Sequence, residues 1–205
     1  MLDLNKVEPA FFKEFKRKNK PSSYQDDCND YELRKNLRES IFIEQNSQCF
    51  YCEKKIIDEN NTAKVHIDHM KQRNSYHNLE CDYNNMVLSC NGDGEKYCAK
   101  FKDKKGKWND IKYINLEQEK PSNCFRYISN GNIKPKTSLV EEQKERIENT
   151  IDYLNLNHKD LIGARKNIFL AIAGYEEQGY DKESIFQFFN EFESIFKGKE
   201  ENENE

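Results

Sequence analysis

Two cysteine pairs constrain this chain more than any other feature of its sequence. Cys49 and Cys52 form a CxxC motif, and Cys90 and Cys98 form a looser pair with seven residues between them. Four thiolates can bind Zn²⁺ tetrahedrally and so hold two distant chain segments together. The alternatives are a redox-active CxxC motif, which usually follows a strand rather than the helix predicted here, and ordinary buried thiols. We therefore expect a structural zinc site at these four residues.

The other three cysteines lack a partner at ligand spacing. They are Cys28, Cys81 and Cys124. Free cysteine behaves as a small apolar residue and is commonly buried. We expect these three residues to be packing residues.

The composition is typical of a polar but folded protein. The chain has 205 residues, of which 36% are hydrophobic and 34% charged, with 13 Phe and 11 Tyr. We expect one domain with a thin aromatic core that a bound metal would help to stabilise. The sequence contains no apolar run near the roughly 20 residues of a membrane span. The first residues do not resemble a signal peptide, so we expect a cytoplasmic protein with reduced cysteines.

Periodicity predicts helices at both ends of the chain and short strands between them. We expect early helices at 7–18 and 28–46, strands at 63–68 and 85–89, and a helix over 94–105 that stops at Gly106. Asn130 and Gly131 predict a hairpin turn. Three helices should then start at Ser138, which has a capping-box spacing to Glu141, at Asn157 and at Asp181.

These elements define the expected fold class, which is α+β and mainly α. We expect a small zinc-stapled unit of two strands and a helix, flanked by N- and C-terminal helices. The expected segments are N-terminal helices at 1–46, the zinc-stapled unit at 47–106, a helical region at 107–198 packed on that unit, and a disordered acidic tail at 199–205.

An Asp-His pair follows 16 residues after Cys52. His69 has the residue type of a general base, because a free imidazole is mostly neutral at cellular pH. Asp68 offers a hard oxygen ligand for Mg²⁺ or Mn²⁺. Asn91, Asp93 or a water could supply a further ligand. His66 shares the strand face of Asp68 and is either a helper of the metal or a half-exposed strand residue.

A lysine-rich strip follows the last cysteine pair. The segment Lys96–Lys107 holds six lysines and one acid, although the net charge of the whole chain is −4. The strip is either a solvated surface or a set of phosphate contacts on DNA. The candidate DNA-binding residues are Lys96, Lys100, Lys102 and Lys104. Because the overall charge opposes nucleic-acid binding, we expect help from a partner.

The order of these motifs resembles the zinc-containing branch of the HNH endonucleases, which have a ββα-metal fold. The similar segments are CFYCEKK, VHIDHMKQRN, NNMVLSCNG and CAKFK. The resemblance implies that His69 is the general base, that Asp68 binds the catalytic metal, and that Asn85 tethers the loop between the strands and orients the base. Many members place Asn or His directly after the last zinc cysteine, where this chain has Ala99. Either Asn91, which follows Cys90, supplies the missing ligand, or the site uses more water.

A longer part of the chain, roughly 30–170, resembles the HNH proteins of anti-phage defence called PtuB in Septu systems and also found with retrons. The later segments FRYISNGNIKP and TIDYLNLNHKDLIGARK contribute to this resemblance. It implies a DNA endonuclease that works with an ATPase of the ABC/SMC-like type. Two alternatives stay open: a stand-alone restriction-type HNH endonuclease, and a non-catalytic zinc module that binds a partner or nucleic acid.

Overall fold

The computed structural model describes residues 1–56, 65–107, 109, 111–115 and 119–197. The acidic segment 199–205, expected to be a disordered tail, lies outside these residues. The described chain has the expected α+β architecture, with helices around two small antiparallel sheets. Among the described helices, none combines the length and the apolar character needed to cross a membrane.

The N-terminal part forms two helices, α1 (Ala10–Asn19) and α2 (Tyr31–Glu44). The carboxylate of Asp30 accepts a hydrogen bond from the backbone N–H of Leu33 at 2.7 Å and so caps the start of α2. Leu33, Leu37 and Ile41 repeat every fourth residue and are buried along one face. This spacing places α2 against the central hairpin.

The central hairpin consists of β1 (Val65–His69) and β2 (Met86–Cys90). The strands are antiparallel, and Asp68 pairs with Val87 while His69 pairs with Met86. The first four residues of β2 are all buried, because α2 and a later short helix, Cys98–Lys102, both pack against this strand. The hairpin is therefore a rigid support for the side chains at the end of β1.

A buried amide closes the outer edge of β2. Gln45 Oε1 accepts from the N–H of Leu88 at 2.7 Å, and Gln45 Nε2 donates to the carbonyl oxygens of Leu88 at 3.0 Å and Gln48 at 2.8 Å. Gln45 is 1% exposed. This side chain replaces a third strand, because backbone groups of a buried strand edge need partners.

We expect Gln45→Leu to lower the free energy of unfolding by about 1–3 kcal/mol, since it leaves the buried N–H of Leu88 without its acceptor. Urea unfolding followed by circular dichroism measures the change. Gln25→Leu, at an exposed position of the same residue type, is the matched control and should change stability little. Equal losses in the two variants would contradict the assigned role of Gln45.

The prediction of one continuous helix over 94–105 is wrong. The chain forms a distorted turn, α3 (Gly92–Glu95), and a separate short helix, α4 (Cys98–Lys102). Tyr97 between them is extended, and Cys98 has a positive φ of 62°. This break turns the Cys98 side chain toward the other cysteines, which a continuous helix would not do.

The C-terminal part begins with a short helix and the expected hairpin, whose turn contains Gly131. Its elements are α5 (Pro121–Cys124), β3 (Phe125–Tyr127), β4 (Ile133–Pro135), α6 (Glu141–Leu154), α7 (Lys159–Glu176), α8 (Lys182–Phe189) and α9 (Glu193–Lys197). The prediction that Asp181 caps a helix is confirmed, because its carboxylate accepts from the N–H of Ser184 at 2.8 Å.

Two other predicted caps are wrong. The helix expected to start at Ser138 starts at Glu141, and the side chain of Gln143 accepts from the N–H of Val140 at 3.4 Å. Asn157 does not cap α7, because its amide makes two hydrogen bonds with the backbone of Ile133, at 2.8 and 2.9 Å. His158 caps α7 instead.

The C-terminal helices are attached to the loop that carries the first cysteine pair. The buried carboxylate of Glu53, next to Cys52, accepts from the N–H of Ser194 at 2.7 Å. The backbone carbonyl oxygen of Glu53 accepts from the N–H of Phe192 at 2.8 Å. The hydroxyl of Tyr127 also donates to this carboxylate. The cysteine loop is thus a point where several parts of the chain meet.

Candidate metal centre and nuclease site

The four cysteines predicted to bind zinc come together at one place. Cys49 and Cys52 lie in the turn after α2, Cys90 ends β2, and Cys98 begins α4. Their sulfur atoms all lie within 4.8 Å of one another. Tetrahedral Zn²⁺ with bonds of about 2.3 Å requires sulfur atoms about 3.8 Å apart. The distances of 3.9 Å between Cys49 and Cys98 and 3.7 Å between Cys52 and Cys90 match that requirement.

The surroundings of the cluster also suit a metal ion. Cys49, Cys52 and Cys98 have no exposed surface. The backbone N–H of Cys90 donates to the sulfur of Cys49 at 3.4 Å, a contact that stabilises a metal-bound thiolate. Convergence of four thiols, rather than two, is typical of a structural metal site and not of a redox CxxC pair. The cluster can therefore hold an ion such as zinc.

Asp68 lies near the end of β1 and is held by two donors. Tyr51 Oη and Lys102 Nζ each donate to Asp68 Oδ2 at 2.5 Å. Lys102 Nζ also donates to the carbonyl oxygen of His69 at 2.7 Å. Both contacts use Oδ2, and within the described part of the chain no hydrogen bond involves Oδ1 of Asp68. Oδ1 is thus the oxygen that Asp68 can offer to a cation.

His69 is fixed in one orientation by the loop between the strands. Its Nε2 lies 2.8 Å from the carbonyl oxygen of Glu80. Since a carbonyl oxygen only accepts, Nε2 carries the proton and Nδ1 keeps its lone pair. The Tyr24 ring packs edge-on against the imidazole, with ring centroids 4.9 Å apart. Burial lowers the pKa of His69, which favours the neutral ring. This is the state that a general base requires.

Asn85 organises the same loop. Its Oδ1 accepts from the N–H of Lys71 at 2.7 Å, while its Nδ2 donates to the carbonyl oxygens of Lys71 at 3.0 Å and Leu79 at 3.2 Å. The side chain is completely buried. These contacts join both ends of the loop that presents Glu80 to His69. They act on the base through the backbone and not by direct contact.

Asn91 lies at the opposite end of the hairpin from Asp68. It follows Cys90, which pairs with Val65, whereas Asp68 pairs with Val87. At about 3.3 Å per residue, Asn91 is roughly 13 Å farther along the strand ladder. Its Oδ1 lies 3.3 Å from Nδ1 of His66. The role of Asn91 as second ligand of the catalytic ion stays a prediction.

The ligand atoms around Asp68 determine how a hard cation such as Mg²⁺ could bind there. Among the described residues, the four cysteines are the one group of three or more His, Cys, Asp or Glu ligand atoms that lie close together. Asp68 is outside this group and offers a single oxygen. Mg²⁺ often binds through one or two carboxylates and takes its other ligands from water and substrate phosphates. Asp68 fits that mode of binding and does not fit a cage made only of protein ligands.

The four candidate DNA-binding lysines have different surroundings. Lys96 pairs with Asp93 at 2.8 Å, and Lys104 pairs with Glu95 at 2.7 Å. Lys100 is half-buried, and within the described residues it has no ion pair. Lys102 has no exposed side-chain surface and pairs with Asp68, so in this structure it is neither on a solvated surface nor accessible to a phosphate.

Sequence reasoning missed the parts played by Lys102, Tyr51 and Glu80. Lys102 lies four residues after Cys98 in α4, and this spacing could have placed it next to the zinc-stapled strands. Tyr51 lies inside the CxxC motif and was therefore a candidate to pack near it. Glu80 acts through its backbone carbonyl, and no sequence pattern reports such a role.

We expect Lys102→Met to lower the free energy of unfolding by about 3 kcal/mol, because removing one partner leaves a buried charge on Asp68 uncompensated. Lys104→Met is the matched control, since its ion pair is exposed and contributes about 0–1 kcal/mol. Urea unfolding of both variants measures the difference. A loss for Lys102→Met no larger than that of the control would contradict a structural ion pair.

Comparison with known proteins identifies a relative of this chain. No model of a protein family matches the chain. A protein of Vibrio cholerae serotype O1 biovar El Tor, named "Retron Vc95 putative HNH endonuclease", is 30% identical over 138 residues, which are 65% of this chain and 63% of that protein. The chain is thus similar to a protein that carries this name, and the match spans less than two thirds of the length of that protein.

Substrate access to the site is restricted in this structure. His69 is 6% exposed and Asp68 is 8% exposed. A cavity of about 660 Å³ is lined by other residues, including Leu2, Arg126 and Lys136. Neither His69 nor Asp68 is among the residues that line this cavity.

Proposed function

We propose that this chain is a metal-dependent HNH endonuclease that hydrolyses phosphodiester bonds in DNA. The observation that carries the proposal is the state of His69, whose Nε2 is bound to the carbonyl oxygen of Glu80 and whose Nδ1 is left as a base. Asp68 precedes it on a strand anchored by the cysteine cluster. The similarity to a protein named as an HNH endonuclease supports this assignment.

In the proposed reaction, Nδ1 of His69 takes a proton from the water that attacks phosphorus. The bond from phosphorus to the 3′ oxygen breaks, and this oxygen takes a proton from solvent, so that the products are a 5′ phosphate and a 3′ hydroxyl. Asp68 would hold a Mg²⁺ or Mn²⁺ ion, with Oδ1 as the oxygen left free by Tyr51 and Lys102. When bound, the cation stabilises the negative charge that develops on the phosphate. Asn85 keeps the loop in place so that Glu80 orients the imidazole. The structural Zn²⁺ at the four cysteines keeps β2 and α4 together.

We further propose that the nuclease works with an ATPase of the ABC/SMC-like type in an anti-phage defence system. The net charge of −4 opposes binding of the chain to the phosphates of DNA. Of the four candidate lysines, Lys102 is buried, and Lys96 and Lys104 are paired with acids. The low exposure of His69 supports a partner that both holds DNA and opens the site.

The contact of Lys102 with Asp68 favours a second candidate, a non-catalytic zinc module. An ammonium group already neutralises the carboxylate, as in a purely structural ion pair. In this case the chain would bind a partner or nucleic acid without cutting it, and substitution of His69 would leave its activity in cells unchanged.

A plasmid cleavage assay with and without the product of the neighbouring gene tests the partnership. We expect weak or absent cutting by the chain alone and strong cutting by the pair in the presence of ATP and Mg²⁺. Equal cutting by the chain alone would favour a stand-alone restriction-type HNH endonuclease. No cutting under either condition, with binding retained, would favour the non-catalytic module.

A further inference from the structure

Two cysteines outside the metal cluster lie next to each other. The sulfur atoms of Cys28 and Cys81 are 3.7 Å apart, although the residues are 53 positions apart in the chain. Cys28 lies in the segment before α2 and is fully buried, while Cys81 lies in the loop between β1 and β2 and is partly exposed. The sequence predicted only packing roles for them, since their separation along the chain concealed this contact.

Both backbone segments that carry these cysteines are held in place. Arg34 Nε donates to the carbonyl oxygen of Cys28 at 2.7 Å. Glu80, which precedes Cys81, accepts from the backbone N–H of Tyr24 at 3.1 Å through Oε2. A disulfide bond has sulfur atoms about 2.05 Å apart. The sulfur atoms therefore need to approach by roughly 1.7 Å, which is within reach of small side-chain rotations.

We propose that Cys28 and Cys81 form a reversible oxidation site, at which hydrogen peroxide produces an intramolecular disulfide. One thiolate attacks a peroxide oxygen, which breaks the O–O bond and gives a sulfenic acid and water once the leaving hydroxide takes a proton. The second sulfur then attacks the sulfenic sulfur, the new S–S bond forms, and a second water leaves. Two thiols and one peroxide thus give one disulfide and two waters.

The surroundings distinguish this pair from the other cysteines. A hydrogen bond from Cys81 lowers the pKa of Cys28, which increases the share of reactive thiolate. Burial raises the pKa of Cys124 to about 11, so that thiol is less reactive. The four clustered cysteines are protected when they are bound to zinc. Oxidation should therefore select Cys28 and Cys81 among the seven cysteines.

The disulfide would join two segments that both contact His69. Tyr24, four residues before Cys28, packs against the imidazole of His69. The carbonyl oxygen of Glu80, next to Cys81, accepts a hydrogen bond from Nε2 of His69. The bond would thus fasten the loop that orients this ring. A consequence for DNA cleavage rests on the proposed function, whereas formation of the bond does not.

Peptide mapping of the zinc-loaded full chain tests the proposal. The protein is treated with hydrogen peroxide, remaining thiols are alkylated under native and then denaturing conditions, and peptides are separated without reductant. We expect one cross-linked peptide pair containing Cys28 and Cys81, lost after dithiothreitol. Cys81→Ser, at the partly exposed position, should abolish the cross-link, whereas Cys124→Ser should retain it. Separate sulfinic acids at Cys28 and Cys81, or complete alkylation of both after peroxide, would overturn the proposal.

Thermal unfolding provides a second readout that does not depend on nuclease activity. A cross-link between such distant positions restricts the unfolded chain, so peroxide should raise the melting temperature of the wild type by roughly 5–10 °C. The same treatment should not raise it in Cys81→Ser. No increase in the wild type, although the cross-linked peptide is present, would show that the bond strains the fold, and would overturn the inference that it fastens the loop.

Discussion

His69→Ala should lower the rate of DNA cleavage by about 10²–10⁴-fold. The imidazole is held by Glu80 with Nδ1 as its proton acceptor, and alanine removes that acceptor entirely. Positioned general bases contribute about this factor to enzyme rates. Time courses of plasmid nicking under single-turnover conditions, with the proposed ATPase partner present, measure the loss.

His158→Asn is the matched control for this variant. His158 caps the start of α7, and asparagine keeps that capping function while it removes the imidazole. The control should cut DNA at nearly the wild-type rate. Each variant should also retain its metal content and its melting temperature within a few degrees. A folded His69→Ala protein that cuts as fast as the control would show that His69 is not the base.

Removal of zinc should unfold the region 45–106 and not merely slow the enzyme. The four cysteines join the turn after α2, the end of β2 and the start of α4. Zinc binding in small metal-stabilised units contributes about 10–16 kcal/mol of apparent free energy. We expect Cys52→Ser to lose bound metal and to show a large drop in melting temperature, by metal analysis and circular dichroism.

Cys124→Ser is the control for the loss of a buried thiol outside the cluster, and it should retain one zinc per chain. The attachment of the C-terminal helices to Glu53, next to Cys52, means that loss of metal should also loosen that contact. A purified wild-type protein with no bound zinc and with four alkylatable thiols at Cys49, Cys52, Cys90 and Cys98 would falsify the zinc assignment.

The sequence predicted the elements with strong local signals. The α2 helix has apolar residues at every fourth position and an Asp cap, and both hairpin strands are short and bounded by polar loops. The four cysteines could be assigned together because metal ligands need particular residue types at compatible spacing. The α+β class and the convergence of the four cysteines were therefore predictable.

The remaining features depend on contacts between distant residues. The break before Cys98 arises because its sulfur must reach the cluster, and no local pattern in GEKYCAKFKDKK indicates it. The prediction that Asn157 caps α7 was wrong because its side-chain amide forms hydrogen bonds with the backbone of Ile133. Lys102 belongs to a charged strip by sequence, but the fold buries it against Asp68. In each case a tertiary contact outweighs a local preference.

The most direct test of the central claim is the cation dependence of DNA cleavage in wild type and Asp68→Asn. Both proteins are prepared with zinc retained and assayed on supercoiled plasmid with the neighbouring gene's product, over a range of added Mg²⁺ and Mn²⁺. We predict that the wild type makes nicked and linear DNA only when a cation is added. Asp68→Asn should be inactive when it is assayed at a temperature at which circular dichroism shows it to be folded. Cleavage by Asp68→Asn at the wild-type rate, or no cleavage by wild type with either cation, would contradict a nuclease built on Asp68 and His69.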